Sequence, residues 1–307
     1  MTIAQLLNTL KYRQLSPNSL ITRNVARFAE KLISSIGAWG HQDEFRPVDC
    51  FCLFVGHPRS GHSLVGALLD AHPQMIIAHE LDAVRHLSVI QRLAIGVSEQ
   101  ELYYLLLERS KWFARRNSEW TGYKYAVPSQ YKGKFTSLKV IGDKKGGGTA
   151  LALQRNPGLM DMLRQLLSVP IKVVHVSRHP FDNIATMARK CHGDVDSATD
   201  AYFRRCGGVL NARNRTSDEN WLSLSLEAFI EDTEECLTQA CEFLEVEREG
   251  SYLRDCSEIV FDTPNRSRDK ISFTLPQIKQ IQRKAENFPF LNRYDLSEPL
   301  ELSKGPQ

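Results

Sequence analysis

The segment FVGHPRSGHSLVGALLDAHP, residues 54–73, joins an apolar run to a pattern of helical periodicity. The run CFCLFV, residues 50–55, has the length and unbroken apolarity of a strand buried in a parallel sheet. Apolar residues between positions 64 and 69 recur at helical spacing. In the intervening loop, Gly56 and Gly61 let backbone N–H groups converge at a helix N-terminus, an arrangement that favours an anion. The segment therefore predicts a strand, an anion-binding loop and a helix.

This loop has the glycine spacing of a nucleotide-binding P-loop but lacks the lysine of that motif. His62 stands where G-x-x-x-x-G-K-[ST] requires lysine. Histidine is not reliably charged at neutral pH, whereas Arg59 inside the loop carries a permanent charge. A glycine-rich turn that binds nothing is the alternative. Further side-chain donors in the loop are Ser60, His62 and Ser63.

The composition is that of an ordinary globular protein. The chain has 307 residues, of which 42% are hydrophobic and 24% are charged. A net charge of +3 gives no reason to expect a nucleic-acid partner. Seven cysteines without C-x-x-C spacing favour buried thiols over a disulfide framework or a zinc site. A reducing, cytoplasmic location is therefore expected.

Residues 1–46 are predicted to form a helical extension packed on the core. Their most apolar stretch, residues 19–39, is interrupted by four charged residues and is neither a signal-peptide core nor a transmembrane segment. It predicts an amphipathic helix that packs against the domain, with attachment to a membrane surface as the alternative. The apolar side consists of Val25, Phe28, Ala29, Leu32, Ile33 and Ile36.

Farther along the chain, apolar strands alternate with helical patterns. We expect strands at 138–141, 171–176 and within WLSLS, and helices at 83–116, 159–167, 233–244 and 275–285, with a loop at 117–137. The alternation predicts one three-layer α/β domain, residues 47–295, with a central parallel sheet and a tail at 296–307. Ligands of such sheets bind at the carboxyl ends of the strands, where the unusual loops fall.

A second loop at a strand end reads Ser-Arg-His-Pro. Arg178 leaves the strand at 171–176, and Pro180 suits the first turn of the next helix. Thr186 lies eight residues after Arg178 in that helix. A guanidinium and a hydroxyl in these places are positioned to bracket a second phosphate, although a strand-end arginine is also often only a solvated charge.

The order and spacing of these motifs resemble the PAPS-dependent sulfotransferases, in particular their carbohydrate and protein-tyrosine branch, over about residues 50–285. PAPS is 3′-phosphoadenosine 5′-phosphosulfate. The similar segments are PRSGHS, LLDAHP, GDK, Arg-x-Pro with its later threonine, LSLEAFIEDTEECLTQACEFL and NRSRDKISF. The resemblance implies an enzyme that moves a sulfuryl group from PAPS to an acceptor hydroxyl, with no metal.

The resemblance also implies binding roles for matching residues. The residues implied for the 5′-phosphosulfate are Arg59, Ser60, Gly61, His62 and Ser63. His62 departs from the Gly-Thr-Thr run of the family. Those implied for the 3′-phosphate, and for a basic loop that closes over the nucleotide, are Arg178, Thr186, Arg266, Ser267, Arg268 and Lys270.

Glu80 is the catalytic base that the resemblance implies, because carbohydrate and tyrosine members place a glutamate shortly after the first helix. His79 is its rival, since other branches of the family use histidine. Lys144, in the GDK segment, matches a lysine aimed at the transferring group, and Arg59 is expected to stabilise charge on the departing phosphate. The glycines at 146–148 depart from the proline usual in the family.

Residues 109–139 are the candidate acceptor site. They contain eight lysines or arginines, one acidic residue and seven interleaved aromatic residues. Aromatic faces beside cations suit a sugar, a phenol or an acidic acceptor. The expected partner is therefore a small-molecule or glycan acceptor.

Two other functions stay compatible with the sequence. A P-loop kinase or NTPase is disfavoured by the missing lysine and by the lack of an obvious strand ending in a magnesium-binding aspartate. A catalytically inactive protein that still binds PAP, adenosine 3′,5′-bisphosphate, is compatible with the departures at His62 and 146–148.

Overall fold

The computed structural model describes residues 31–92 and 96–297. Five parallel strands form the main sheet in the order β2–β5–β1–β6–β7, and β3 and β4 pair as a short antiparallel hairpin. The strands are β1 (Cys50–Gly56), β2 (Met75–His79), β3 (Glu119–Trp120), β4 (Tyr123–Lys124), β5 (Val140–Lys144), β6 (Ile171–Ser177) and β7 (Trp221–Ser225).

Helices cover both faces of this sheet. They are α1 (residues 31–40), α2 (Gln42–Phe45), α3 (His62–Leu69), α4 (Ala83–Arg92), α5 (Glu99–Arg115), α6 (Gly146–Arg155), α7 (Leu159–Leu166), α8 (Pro180–Met187), α9 (Val195–Arg213), α10 (Leu226–Glu231), α11 (Thr233–Leu244), α12 (Gly250–Ser257) and α13 (Leu275–Ala285). Short turns of other helix types lie at Ala188–His192 and Ser267–Lys270.

β1 is the centre of the domain, and its unbroken apolar sequence follows from burial on both faces. Its residues 51, 53 and 55 pack into a core with α5, α6 and α7, whereas residues 50, 52 and 54 pack into a second core with α3, α11 and α12. A third cluster joins α8, α9 and α13. The predicted three-layer α/β domain with a central parallel sheet is confirmed.

The LLDAHP segment ties α3 to the neighbouring elements. Asp70 accepts hydrogen bonds from the Ile77 amide (2.8 Å) and from Ser110 Oγ (2.8 Å). His72 Nδ1 accepts from the Gln74 amide (3.1 Å), so its Nε2 donates to the Glu247 carbonyl (2.8 Å). This motif is therefore structural.

Several element boundaries differ from the sequence-based expectation. The strand expected at 138–141 is Val140–Lys144, because Asp143 and Lys144 are buried and hydrogen-bonded despite their polarity. β2 was not predicted: it has only five residues and ends at the polar residue His79, which Glu80 follows. The helices α9 and α12 were also missed, and α10 occupies the turn expected after β7.

The side of α1 that packs on the domain also differs from the expectation. Ile33 and Ala38 are buried, whereas Leu32, Ile36 and Trp39 are 54%, 54% and 77% exposed. The expected packing of Leu32 and Ile36 is therefore wrong. The other predicted members of this face, Val25, Phe28 and Ala29, lie outside the described residues, as do the rest of residues 1–30 and the tail from 298 onward.

All seven cysteines lie in the described part of the chain and are free thiols, and six are buried. This confirms the expectation of buried thiols. No described helix has the length and apolarity needed to cross a membrane.

A close helix contact offers a test of the packing. Gly208 of α9 faces the α6 backbone so closely that an added Cβ would lie 1.8 Å from the Ala150 carbonyl oxygen. We expect Gly208→Ala to lower the free energy of unfolding by about 2 kcal/mol, since the backbones must move apart. Urea unfolding measures the loss. Gly250→Ala is the matched control, because nothing lies within 4 Å of its Cβ position; equal behaviour of the two variants would contradict the α6–α9 contact.

Candidate active site

The candidate site lies at the carboxyl edge of the main sheet. Because its strands are parallel, the loops after β1, β2, β5 and β6 all begin at this edge. They carry Arg59, Glu80, Lys145 and Arg178, respectively. The strand-end loops therefore lie together at one edge of the sheet, as the sequence predicts.

The loop after β1 is fixed by backbone conformation and by hydrogen bonds. Gly61 caps α3 with φ = 91°, and a Cβ there would lie 2.4 Å from Leu226, so only glycine fits without rearrangement. Asn183 Nδ2 donates to the Pro58 carbonyl (2.7 Å), and Ser60 Oγ donates to the His57 carbonyl (2.9 Å). The loop is thus held from both sides before any ligand arrives.

The glycines at 146–148 bring the N-terminus of α6 against this loop. A Cβ on Gly147 would lie 2.7 Å from Pro58, and one on Gly146 would lie 3.4 Å from the His62 ring. The glycines at these two positions therefore have a steric reason: the loop and α6 are in contact.

His62 does not supply the charge of the missing P-loop lysine. It is the first residue of α3, it is buried, and its Nδ1 lies 3.4 Å from Ser60 Oγ. Burial, reinforced by the nearby Lys144 ammonium, lowers the pKa of His62 to about 3. The ring is therefore neutral at physiological pH.

Lys144, the last residue of β5, places its ammonium beside the first turn of α3. Its Nζ donates to Ser63 Oγ (2.9 Å) and to Glu80 Oε1 (3.1 Å), and only 1% of the side chain is exposed. Its aliphatic part lies over α3, where a Cβ on Gly66 would be 2.4 Å from Lys144 Cγ. Burial lowers the pKa of Lys144 to about 8, with Glu80 opposing the shift.

Glu80 lies between two lysines. Its Oε1 accepts from Lys144, and its Oε2 accepts from Lys145 Nζ at 2.6 Å. Burial alone would raise the pKa of Glu80, but the two ammonium groups outweigh it and lower the pKa to about 2. Glu80 is therefore ionised and paired at neutral pH.

Asp143, which the sequence reasoning missed, fixes the backbone that carries Glu80. Its carboxylate accepts from the Leu81 amide (2.9 Å) and from the Ala83 amide (2.8 Å). These bonds hold the turn in which Glu80 and Asp82 have left-handed φ values of 61° and 66°. Burial raises the pKa of Asp143 to about 6, so two amide hydrogen bonds stabilise a carboxylate that burial disfavours. The signal in the sequence was the acid before the lysine in GDK.

His79 lies beside Glu80 in an aromatic environment. Its ring stacks on Phe113 at 3.8 Å and meets Trp120 edge-on at 4.9 Å, and Arg109 Nε donates to its carbonyl (2.7 Å). Burial first, then the Lys144 ammonium 3.4 Å from Nε2, lowers the pKa of His79 to about 2. The structure thus brings the aromatic and basic segment 109–139 next to the two candidate bases.

Arg178 gathers three segments that are far apart in the sequence. It donates to Thr186 Oγ1 (3.2 Å), to Ser267 Oγ (3.0 Å) and to the carbonyl of Asn265. It also donates to the Arg59 carbonyl (3.3 Å) in the loop after β1. The predicted grouping of Arg178, Thr186 and Ser267 is present; what it binds stays a prediction.

The other basic residues of the 266–270 loop have partners within the protein. Arg268 NH1 pairs with Asp182 Oδ2 at 3.3 Å, and Arg266 Nε pairs with Asp269 Oδ2 at 3.2 Å. Lys270 Nζ donates to Asn265 Oδ1 (2.8 Å). Their implied contacts with a nucleotide stay predictions.

Two exposed aromatic residues lie beside each other at the β3–β4 hairpin. Tyr123 at the tip of the β3–β4 hairpin and Phe261 are 47% and 65% exposed, and their ring centroids are 6.2 Å apart. Burial lowers the pKa of Arg178, and the nearby Asp182 and Glu227 carboxylates, then Tyr123, oppose this shift. Phe261 was not singled out from the sequence because a single aromatic residue in a loop carries no pattern.

A family model described as "Sulfotransferase family" matches residues 53–250, which run from within β1 to the first residue of α12 and include the loops after β1, β2, β5 and β6. The chain belongs to the sulfotransferase family. No curated protein matches it by sequence comparison. The family match confirms the resemblance to sulfotransferases, whereas the carbohydrate and protein-tyrosine branch stays a prediction.

Solved sulfotransferase structures are similar to this sulfotransferase at low sequence identity. The sulfotransferase domain of a Synechococcus olefin synthase is 16% identical, with a TM-score of 0.49, and the match covers 81% of this chain and 96% of that domain. Sulfotransferase STF9 from Mycobacterium avium is 12% identical, with a TM-score of 0.46, covering 98% and 93% of the two chains. Retinol dehydratase in complex with androsterone and PAP is 15% identical, with a TM-score of 0.40, covering 86% and 88%.

The role of Asp143 in this sulfotransferase is open to a direct test. We expect Asp143→Asn to speed hydrogen exchange in the peptide that spans residues 80–84 by about 10-fold, because an amide nitrogen cannot accept the second backbone hydrogen bond. Mass spectrometry of the exchanged protein measures this. Asp161→Asn removes an exposed carboxylate that pairs only locally with Arg164 and should leave that peptide unchanged; equal protection in both variants would contradict the assignment.

Proposed function

We propose that this sulfotransferase transfers the sulfuryl group of PAPS to an acceptor hydroxyl. The observation that carries the proposal is the environment of Arg178. Its guanidinium is buried, and its hydrogen-bond partners among the described residues are all neutral carbonyl or hydroxyl oxygens. The Asp182 and Glu227 carboxylates lie near enough to favour its charge but form no hydrogen bond or ion pair with it. A phosphate at this place would supply the direct anionic partner that this buried cation lacks among the described residues.

A nucleotide with phosphates on both its 3′ and 5′ oxygens suits this site, because the loops that carry Arg178 and Arg59 are hydrogen-bonded to each other. Arg178 lies beside two hydroxyls suited to a phosphate and also binds the carbonyl of Arg59. The Arg59 guanidinium itself has no hydrogen-bond or ion-pair partner in the described parts of the chain. We assign Arg178, Thr186 and Ser267 to the 3′-phosphate, and we assign Arg59 and the loop residues Ser60, Gly61, His62 and Ser63 to the 5′-phosphosulfate.

The chemistry of the donor needs charge compensation and a base. PAPS supplies a sulfuryl group attached to a phosphate leaving group. Arg59 and Lys144 carry positive charge at the loop where negative charge would grow on the leaving phosphate. Glu80 would accept the proton of the acceptor hydroxyl.

Glu80 is a better candidate for the base than His79. Both are in their proton-accepting forms at neutral pH. The His79 ring, however, is buried and enclosed by Phe113 and Trp120. The Glu80 carboxylate is partly exposed at the end of β2. We therefore keep Glu80 as the base and His79 as part of the wall beside it.

The same wall supports a ring-shaped acceptor. Phe113 and Trp120 lie around His79, and Trp112 lies beneath the guanidinium of Arg109 at 4.0 Å. Aromatic faces next to cations favour sugars and phenols, including those that carry a negative charge. We propose a glycan, phenol or small-molecule acceptor of this kind.

Nucleotide binding tests the assignment of the 3′-phosphate. We expect PAP without magnesium to raise the melting temperature, and Mg·ATP to leave it unchanged. Arg178→Ala should weaken PAP binding on the order of 100-fold, since a charge-assisted contact is lost, but should hardly change the binding of adenosine 5′-phosphate, which lacks the 3′-phosphate. Isothermal titration calorimetry measures both affinities.

A milder variant separates the loss of a phosphate contact from a loss of loop structure in Arg178→Ala. Thr186→Val keeps the side-chain shape and removes one hydroxyl, so it should weaken PAP about 5-fold to 10-fold with the melting temperature nearly unchanged. Stabilisation by Mg·ATP and not by PAP would favour a phosphotransferase and overturn the proposal. Equal losses for PAP and adenosine 5′-phosphate would show that Arg178 does not contact the 3′-phosphate.

The base assignment has a separate test. Glu80→Gln should retain PAP binding and lower kcat for sulfuryl transfer about 100-fold to 10,000-fold, because the amide cannot accept the proton. Transfer is measured by mass spectrometry with labelled PAPS and a panel of sugars, phenols and small alcohols. Full turnover in Glu80→Gln together with its loss in His79→Gln would make His79 the base. Absence of transfer in the wild-type protein across the panel, despite PAP binding, would favour an inactive nucleotide-binding protein.

A further inference from the structure

Lys144 stands between the two halves of the candidate site. Its ammonium donates to Ser63 Oγ (2.9 Å), on the first turn of α3 next to the anion-binding loop, and to Glu80 Oε1 (3.1 Å) on the acceptor side. The third neighbour is His79 Nε2 at 3.4 Å. An ammonium has three N–H donors, and these three neighbours account for all of them.

The surroundings make this ammonium difficult to replace. Only 1% of the Lys144 side chain is exposed, so water has little access to the groups that it contacts. Glu80 has one other cationic partner among the described residues, Lys145, which is 29% exposed and reaches the opposite carboxylate oxygen at 2.6 Å. Whatever draws Lys144 away leaves Glu80 held by a single, partly solvated lysine.

We propose that Lys144 couples the donor loop to the catalytic base, because an anion bound at the loop and the Glu80 carboxylate compete for one ammonium. The proposal rests on the function proposed above, which places an anionic donor on that loop. Lys145 is the positioning residue in this scheme: it keeps the carboxylate at the end of β2 while Lys144 turns towards the loop.

The competition sets an order of events. With both lysines in place Glu80 is a weak base, since its pKa is lowered to about 2. An anion near Ser63 attracts the shared ammonium, and the carboxylate then has one counter-ion in place of two. Loss of a nearby positive charge raises the pKa of a carboxyl group and frees it to approach a hydroxyl. Glu80 is therefore ready to accept a proton only when the donor is bound.

The test measures nucleotide affinity and needs no acceptor. We expect Glu80→Gln to bind PAP about 3-fold to 10-fold more tightly than the wild-type protein, because no carboxylate competes for Lys144. Isothermal titration calorimetry measures the dissociation constant. The matched control is Glu108→Gln, which removes one carboxylate that pairs with Lys111 (3.2 Å) and Arg115 (3.9 Å), and changes the net charge equally. We expect the control to bind PAP as the wild-type protein does.

A double-mutant cycle identifies the cation. In a Lys144→Met background, Glu80→Gln should no longer tighten PAP binding. A gain that persists in that background would mean that the carboxylate acts through another cation and would overturn the coupling by Lys144. If Lys144→Met fails to fold, the comparison of Glu80→Gln with Glu108→Gln still decides the competition.

The outcomes separate this proposal from the function on which it rests. Equal or weaker PAP binding by folded Glu80→Gln, while the wild-type protein binds PAP, overturns the competition and leaves the proposed function intact. No PAP binding by the wild-type protein overturns both. Equal tightening in Glu80→Gln and Glu108→Gln would reveal a general charge effect and also contradict the proposal.

Discussion

The parallel direction of the five strands is the constraint on which the site depends. Every strand of the main sheet ends at one edge, so Arg59, Glu80, Lys145 and Arg178 meet there although they are spread over 120 residues of the chain. The short connections that follow these strands leave little freedom. Gly61 fits against Leu226, and Gly147 fits against Pro58, only because neither has a Cβ.

Positively charged side chains predominate at this edge, and they differ in how closely they pair with carboxylates. Lys144 and Lys145 share one carboxylate, and Arg268 pairs with Asp182. Among the described residues Arg178 hydrogen-bonds only to neutral oxygens, with the Asp182 and Glu227 carboxylates nearby but not paired with it. An edge with spare buried positive charge is suited to an anionic ligand with more than one phosphate. Asp143 contributes through the backbone. Its carboxylate accepts two backbone hydrogen bonds that fix the turn carrying Glu80.

Much of this arrangement was predictable from the sequence, because local patterns encode it. The apolar run of β1, the glycines after it, and Arg178 with Thr186 eight residues later each follow from spacing along a strand or a helix. The family match bears out the resemblance to sulfotransferases that these patterns suggested. Contacts between distant segments were harder to predict: the pairing of Glu80 with Lys145 and the role of Asp143 depend on the register of β2 with β5. The wrong orientation of Leu32 and Ile36 has the same origin, since periodicity shows that a helix has an apolar side but not which neighbour is there to cover it.

A structure of the complex with PAP would test the central claim most directly. The account predicts the 3′-phosphate within hydrogen-bonding distance of Arg178, Thr186 and Ser267, the 5′-phosphate on the loop after β1, and Lys144 turned from Glu80 towards that phosphate. A nucleotide bound elsewhere on the protein would contradict the proposed function. A nucleotide in the expected place beside an unchanged Lys144–Glu80 ion pair would contradict the coupling between donor and base.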